Sequence, residues 1–264
     1  MRGRVLVVAG SDSGGGAGIQ ADIKTIMALG GYATTAVTAL TAQNTLGVQG
    51  VMPVPPDFVR LQMSCVLEDI GADAVKTGML GDAALIEAVA AAIGDSRPLV
   101  VDPVMVAKGG HVLLPDTAMA ALKTQLIPRA TIITPNVPEA EQLLGGPIRN
   151  PADQAQAAYA LLALGAGAVL LKGGHLPGPS VTDILATRAG QMAFTGARLD
   201  SRHTHGTGCT LASAIAVCLG QGLSLADAVG RARTYVMAAI AAAPRLGAGH
   251  GPLNHAVWMD KEAP

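Results

Sequence analysis

Short runs of β-branched and aliphatic residues alternate along the chain with longer Ala- and Leu-rich stretches. The runs occupy residues 5–9, 33–38, 74–76, 99–102, 131–134 and 168–172. Continuous apolar runs of strand length, separated by helical segments, predict βαβ units and a mostly parallel sheet buried on both faces. Between the first two runs Ile19, Ile23, Ile26 and Met27 recur at helical spacing and Gly30-Gly31 follows, so a helix is expected over 19–29. Ser224, with Asp227 three residues on, opens an Ala-rich helix that ends before Pro244, and the chain is expected to close with helices. No tandem repeat, charge block or linker-like stretch divides the sequence, which predicts one domain over 1–264.

Composition narrows the class of partner. A hydrophobic share of 50% with only 2% aromatics suits buried parallel strands under helices better than an aromatic-rich sandwich. A formal charge of -1 without a basic run gives no footprint for nucleic acid or an anionic membrane surface, so a small molecule is the expected ligand. The apolar run at 5–9 is too short for a secretory signal, and no stretch reaches the roughly 20 apolar residues of a membrane span. Cys65, Cys209 and Cys218 are odd in number and lack zinc or CxxC spacing, which fits a reducing cytoplasm. Cys65 and Cys218 fall in apolar helical patterns and read as packed thiols. Cys209 stands at a helix start, where a thiol pKa tends to fall. His203, His205, His250 and His255 lack a third metal partner and read as surface or loop residues.

Polar or Gly-rich punctuation follows several of the runs, at the place where open α/β sheets bind ligands. Gly206-Thr207-Gly208-Cys209 precedes the helical pattern Leu211, Ile215, Cys218 and Leu219. A helix starting there aims unpaired N–H groups and its positive dipole end at an anion; the alternative is plain punctuation before a core helix. The chain holds no Walker or dinucleotide loop. The Gly-rich stretch 11–18 allows the backbone to close around a compact ligand. Asp22, in the helix after it, reads either as a ligand contact or as a helix-start carboxylate. Asp102 and Glu139 each follow a strand, where they are helix caps or the carboxylates of a magnesium site. Lys172 ends a buried strand, a costly place for an ammonium unless it meets an anion or water.

Together with 9–22, 41–45, 76–80, 102–105, 134–140, 172–175 and 205–210, these segments make the chain resemble the ribokinase-like superfamily, and within it the hydroxymethylpyrimidine and phosphomethylpyrimidine kinases of thiamin biosynthesis. That resemblance implies a three-layer α/β/α fold with a mostly parallel central sheet. It implies ATP-dependent phosphorylation of a hydroxymethylpyrimidine to its monophosphate and then its diphosphate, pyridoxal being the alternative acceptor. Gln43 would bond the aminopyrimidine, with Gly10, Asp22, Met79 and Val106 lining its pocket. Asp102 and Glu139 would organise Mg2+, partly through water; Lys172, Thr207 and Gly208 would contact ATP; and Gly206 to Cys209 would form the anion hole. Cys209 would stand where many superfamily members place a general-base Asp. Residues 107–111 would be a flap, and the assembly a homodimer.

Overall fold

The computed structural model describes residues 2–106, 110 and 113–259. Successive residues of a strand point to opposite faces, and the apolar runs use both. The chain enters through β1 (Arg4–Ala9), turns through α1 (Gly18–Ala28) and returns along β2 (Tyr32–Val37). A hairpin of β3 (Ala39–Asn44) and β4 (Gly47–Pro53) follows, forming a separate two-stranded sheet. Next come α2 (Pro56–Asp69), β5 (Ala74–Thr77), α3 (Ala83–Ile93), β6 (Leu99–Val101), α4 (Asp116–Ala121) and β7 (Ile132–Ile133). The chain continues through α5 (Val137–Leu144), α6 (Pro151–Ala160), β8 (Ala168–Leu171), β9 (Ser180–Thr187), β10 (Gly190–Ala197), α7 (Thr207–Gly220) and α8 (Leu225–Ala241).

The main sheet has eight strands in the order β10-β9-β8-β7-β6-β5-β1-β2. Pairing is parallel from β8 to β2 and antiparallel at β9 and β10. Leu6 and Val8, Val75, Val101, Ile133, Val169 and Leu171 face one layer, built by α2 to α6. Val5 and Val7, Ala74, Val100, Ile132, Ala168 and Leu170 face the other, built by α1, α7 and α8. Each fully buried Val, Leu or Ile contributes roughly 1.5–3 kcal/mol, so filling both faces fixes the register of every central strand. The result is a three-layer α/β/α sandwich.

All six expected strands are present, as are the helices expected after β1 and from Ser224, whose side chain accepts from Asp227 N. One expectation is corrected, and two hairpins add to the expected elements. The β3–β4 and β9–β10 hairpins lie outside the βαβ rhythm, because β3, β4 and β10 are largely exposed and carry no continuous apolar run, and β9 buries only the short stretch 183–186. The closing elements of the described residues are helices, as expected, α7 and α8; beyond α8 the chain turns back, His205 bridges Pro252 in parallel, and Tyr235 Oη donates to His255 O at 2.6 Å. Cys65 is exposed, since α2 buries Val59 and Met63 and turns the residue two beyond Met63 outward. No helix among the described residues is long and apolar enough to cross a membrane.

Candidate active site

The parallel strands end on one cleft of about 720 Å3. Gly10 after β1, Met79 after β5, Asp102 after β6, Asn136 after β7 and Lys172 after β8 all line it. Gln43 reaches it from β3 and Val106 from the segment after β6, and Gly206 to Cys209 close its floor. The flap expected at 107–111 lies, apart from Gly110, outside the described residues.

The floor is backbone against backbone. Gly206 has φ 83° and no side chain caps α7, so the first-turn N–H groups and the positive dipole end face the cleft. A Cβ on Gly206 would fall 1.8 Å from Gly16 O, and one on Gly18 would fall 2.4 Å from Gly10 O. Gly206 therefore lets the second Gly-rich segment pack on the first, and Gly18 lets the first fold back on the end of β1. A Cβ on Gly208 would lie 3.4 Å from Lys172 Nζ and 3.5 Å from Asp102 Oδ2: helix start, ammonium and carboxylate converge on one spot.

Asn136 and Lys172 extend β7 and β8 by one parallel bridge, which brings Glu139 and Lys172 together. Glu139 is both cap and cleft residue: its Oε2 accepts from Asn136 N at 2.7 Å while Asn136 Oδ1 accepts from Glu139 N, a complete capping box. Lys172 Nζ donates to Asp102 Oδ1 at 3.1 Å, and Thr134 Oγ1 donates to the same oxygen at 3.0 Å. Burial opposes the Lys172 charge, but Asp102 and Glu139 outweigh it and hold the ammonium above its ordinary pKa. Burial pushes Glu139 up to about 7; Asp102 adds to the rise and Lys172 opposes it. Two neighbouring carboxylates beside an uncapped helix start suit a hard cation, and magnesium needs only one or two of them when phosphates and waters complete its shell. The described residues hold no group of three or more metal-ligating side chains.

The Glu139 shift predicts a pH effect. The native state retains this proton between the ordinary value of 4.5 and about 7, so its contribution to stability falls as pH rises through that window. Glu139→Gln stays neutral. Its melting temperature, measured relative to the wild type, should climb from pH 4.5 to 7 in the ligand-free protein; a constant difference would contradict the shift.

Several sequence-based placements change. Asp22 does not line the cleft. It lies fully buried beneath it, accepting from Lys76 Nζ at 3.0 and 2.9 Å and from Ser213 Oγ at 2.6 Å. Lys76 shares the strand parity that faces α1 and α7, so the pair bridges sheet to helix. Burial pushes the Asp22 carboxyl towards neutrality while Asp22 holds Lys76 charged; the two-oxygen contact with the ammonium decides for an ion pair. The Cys209 thiol does not fall. It retains some exposure through the cleft, yet burial raises it to about 11, Asp22 and Asp102 push the same way, and Lys76 and Gly18 N–H oppose them. His203 and His205 are buried rather than surface residues, and His205 Nε2 lies 2.8 Å from Asp12 Oδ2. Sequence reasoning passed over Lys76, although it carries the signal that marked Lys172, a lysine inside an apolar strand run.

An α/β/α sandwich whose strand ends gather an uncapped helix start, a lysine and two carboxylates is that of a ribokinase-like small-molecule kinase. The sequence profile of the phosphomethylpyrimidine kinase family matches residues 12–254. The chain belongs to that family. It is 51% identical over 252 residues to the hydroxymethylpyrimidine/phosphomethylpyrimidine kinase of Streptomyces coelicolor, covering 95% of this chain and 93% of the relative. It is 54% identical over 256 residues to the thiamine biosynthesis bifunctional protein ThiED of Geobacter sulfurreducens, spanning 96% of this chain but only about half, 52%, of that longer protein. Among solved structures, a Bacillus subtilis pyridoxal kinase in an ADP complex superposes with a TM-score of 0.91 at 36% identity, covering 98% of this chain and 99% of the other.

Proposed function

We propose that this protein transfers the γ-phosphoryl group of ATP to the hydroxymethyl oxygen of 4-amino-5-hydroxymethyl-2-methylpyrimidine, and then extends the monophosphate to the diphosphate, in thiamin biosynthesis. The observation that carries the reading is the convergence at Gly208 of the α7 start, Lys172 Nζ and Asp102 Oδ2. Backbone N–H groups of 206–209 and Lys172 would stabilise the equatorial oxygens of the transferring group, and in-line positioning supplies most of the catalysis. Asp102 and Glu139 would hold magnesium, which screens phosphate charge when bound. Gln43, Gly10, Met79 and Val106 would seat the pyrimidine, Gln43 offering both donor and acceptor. The described chain serves as one kinase unit in the cytoplasm. The assembly is a homodimer; cross-strand neighbours Leu40 and Met52, with Phe58 and Leu61 on α2, leave apolar surface exposed for it.

ATP consumption with hydroxymethylpyrimidine, with phosphomethylpyrimidine and with pyridoxal tests the reading. Turnover of both pyrimidines is expected. Preference for pyridoxal, the substrate class of the Bacillus structural relative, would overturn the acceptor, and inertness towards phosphomethylpyrimidine would remove the second step.

Cys209 is the proposed proton acceptor, with its thiolate scarce at neutral pH because the thiol lies near 11. A base works only when deprotonated, so kcat should rise steadily with pH above 7. Cys209→Ala should lose more than tenfold in kcat together with that slope. Cys209→Asp, ionised throughout, should recover part of the rate without the slope. An alanine variant as fast as the wild type ends the role.

A further inference from the structure

At the rim of the cleft the Gln43 amide lies between two polar groups. With Oε1 towards Thr41 Oγ1 the separation is 3.2 Å, and Nε2 is then 3.3 Å from His205 Nε2. A half-turn about the terminal side-chain bond exchanges oxygen and nitrogen in the same space, and the surrounding protons decide between the two orientations.

Asp12 Oδ2 accepts from Gly16 N at 3.0 Å and Ala17 N at 2.7 Å and lies 2.8 Å from His205 Nε2, while Oδ1 accepts from Gly14 N at 2.8 Å. Burial alone would raise the Asp12 carboxyl, but His205 and the N–H groups of Ala17 and Gly14 hold it below its ordinary pKa. An ionised carboxylate brings no proton to the His205 contact, so that proton sits on Nε2. A protonated Nε2 cannot accept from an amide N–H; it can share its hydrogen with an amide oxygen. On the other side the Thr41 hydroxyl has a single proton, directed to Ser11 O at 3.0 Å, and is left as an acceptor for the amide nitrogen. The orientation with oxygen on His205 and nitrogen on Thr41 satisfies every group, whereas the reverse sets donor against donor at His205 and asks two bonds of one Thr41 proton.

We propose that Asp12 acting through His205, together with Thr41, fixes the Gln43 amide with its carbonyl on the His205 side and its NH2 on the Thr41 side. Resting on the pyrimidine reading above, this sets the pose of the substrate. The free lone pair of the carbonyl accepts from the exocyclic amine, which lies on the His205 side, and the second N–H of the amide donates to the neighbouring ring nitrogen on the Thr41 side. Asp12, His205 and Thr41 are positioning residues; none needs to touch the reacting hydroxymethyl group.

Three measurements test the frame. Long-range 1H–15N NMR of the ligand-free protein should show a pyrrole-type Nε2 on His205, and a pyridine-type Nε2 overturns the proposal whatever the substrate. In a crystal of the wild type with hydroxymethylpyrimidine, the methyl and hydroxymethyl groups reveal which way the ring lies; an amine on the Thr41 side also overturns it. Kinetically, His205→Phe should raise KM for hydroxymethylpyrimidine at least tenfold with kcat within about threefold, and His205→Gln, whose amide nitrogen reaches close to the place of Nε2, should restore most of the loss. A fall in kcat at unchanged KM rejects the positioning role. If the wild type fails to phosphorylate the pyrimidine, the functional reading falls instead, and the NMR result still decides the orientation of Gln43.

Discussion

Replacing Lys172 with Met is expected to lower kcat by about 10²–10³-fold, the range found when one preorganised donor is removed from a site of developing negative charge. Lys172 Nζ stands 3.4 Å from the Cβ position of Gly208, so a phosphoryl group lying over the α7 start meets the ammonium directly. Asp102 sets its place through the 3.1 Å contact, and Asp102 with Glu139 keeps it charged. Such an ammonium needs no reorganisation as charge moves onto the equatorial oxygens, and in a cleft with part of its water excluded it acts more strongly than in bulk. Met matches the length and apolar stem of Lys, so lost packing is a minor part of the change. Lys172→Arg keeps the charge but spreads it over a planar fork, and should recover only part of the rate. The check is steady-state kinetics at saturating ATP and magnesium, with thermal melts to show that each variant is folded. A kcat within about fivefold of the wild type for Lys172→Met would remove Lys172 from transition-state stabilisation.

What made Lys172 visible in the sequence was a local contradiction: an ammonium at the end of Val169-Leu170-Leu171. The parallel strands were legible for a related reason. Being buried on both faces, they appear as uninterrupted apolar runs, and the ends of such strands are where polar residues gather. The β9–β10 hairpin carries no such mark, since β10 is almost wholly exposed and its small residues imitate a loop. The errors at the site share a cause: each turned on partners distant in sequence. Helical spacing placed Asp22 near the buried stripe of α1, but only the folded chain shows that Lys76 from β5 and Ser213 from α7 enclose it. His205 meets Asp12 across 193 positions. For Cys209 the helix start suggested a lowered thiol, a local effect; burial and two carboxylates brought in from other elements reverse it.

The largest stability effect is expected at the ion pair under the cleft. Lys76 and Asp22 are both fully buried, and Asp22 draws three hydrogen bonds from Lys76 and Ser213. Lys76→Met leaves an uncompensated carboxylate in the core, a change that typically costs about 3–5 kcal/mol. At roughly 2–4 °C per kcal/mol for a chain of this size, the melting temperature should fall on the order of 10 °C. Replacing both charges, as Lys76→Met with Asp22→Leu, removes the stranded charge and should recover at least half of that loss, because a buried pair exchanged for apolar side chains is often neutral in stability. A double variant as unstable as the single would mean that the pair is held by packing rather than by charge. Recovered stability should not bring recovered catalysis. Lys76 leads the influences that pull the Cys209 thiol down, while Asp22 opposes it, so deleting both leaves burial and Asp102 to raise the thiol further. The double variant should therefore fold nearly as well as the wild type yet need more alkaline conditions to reach a given fraction of its maximal rate. A pH profile that superposes on the wild type would show that the buried pair does not tune Cys209.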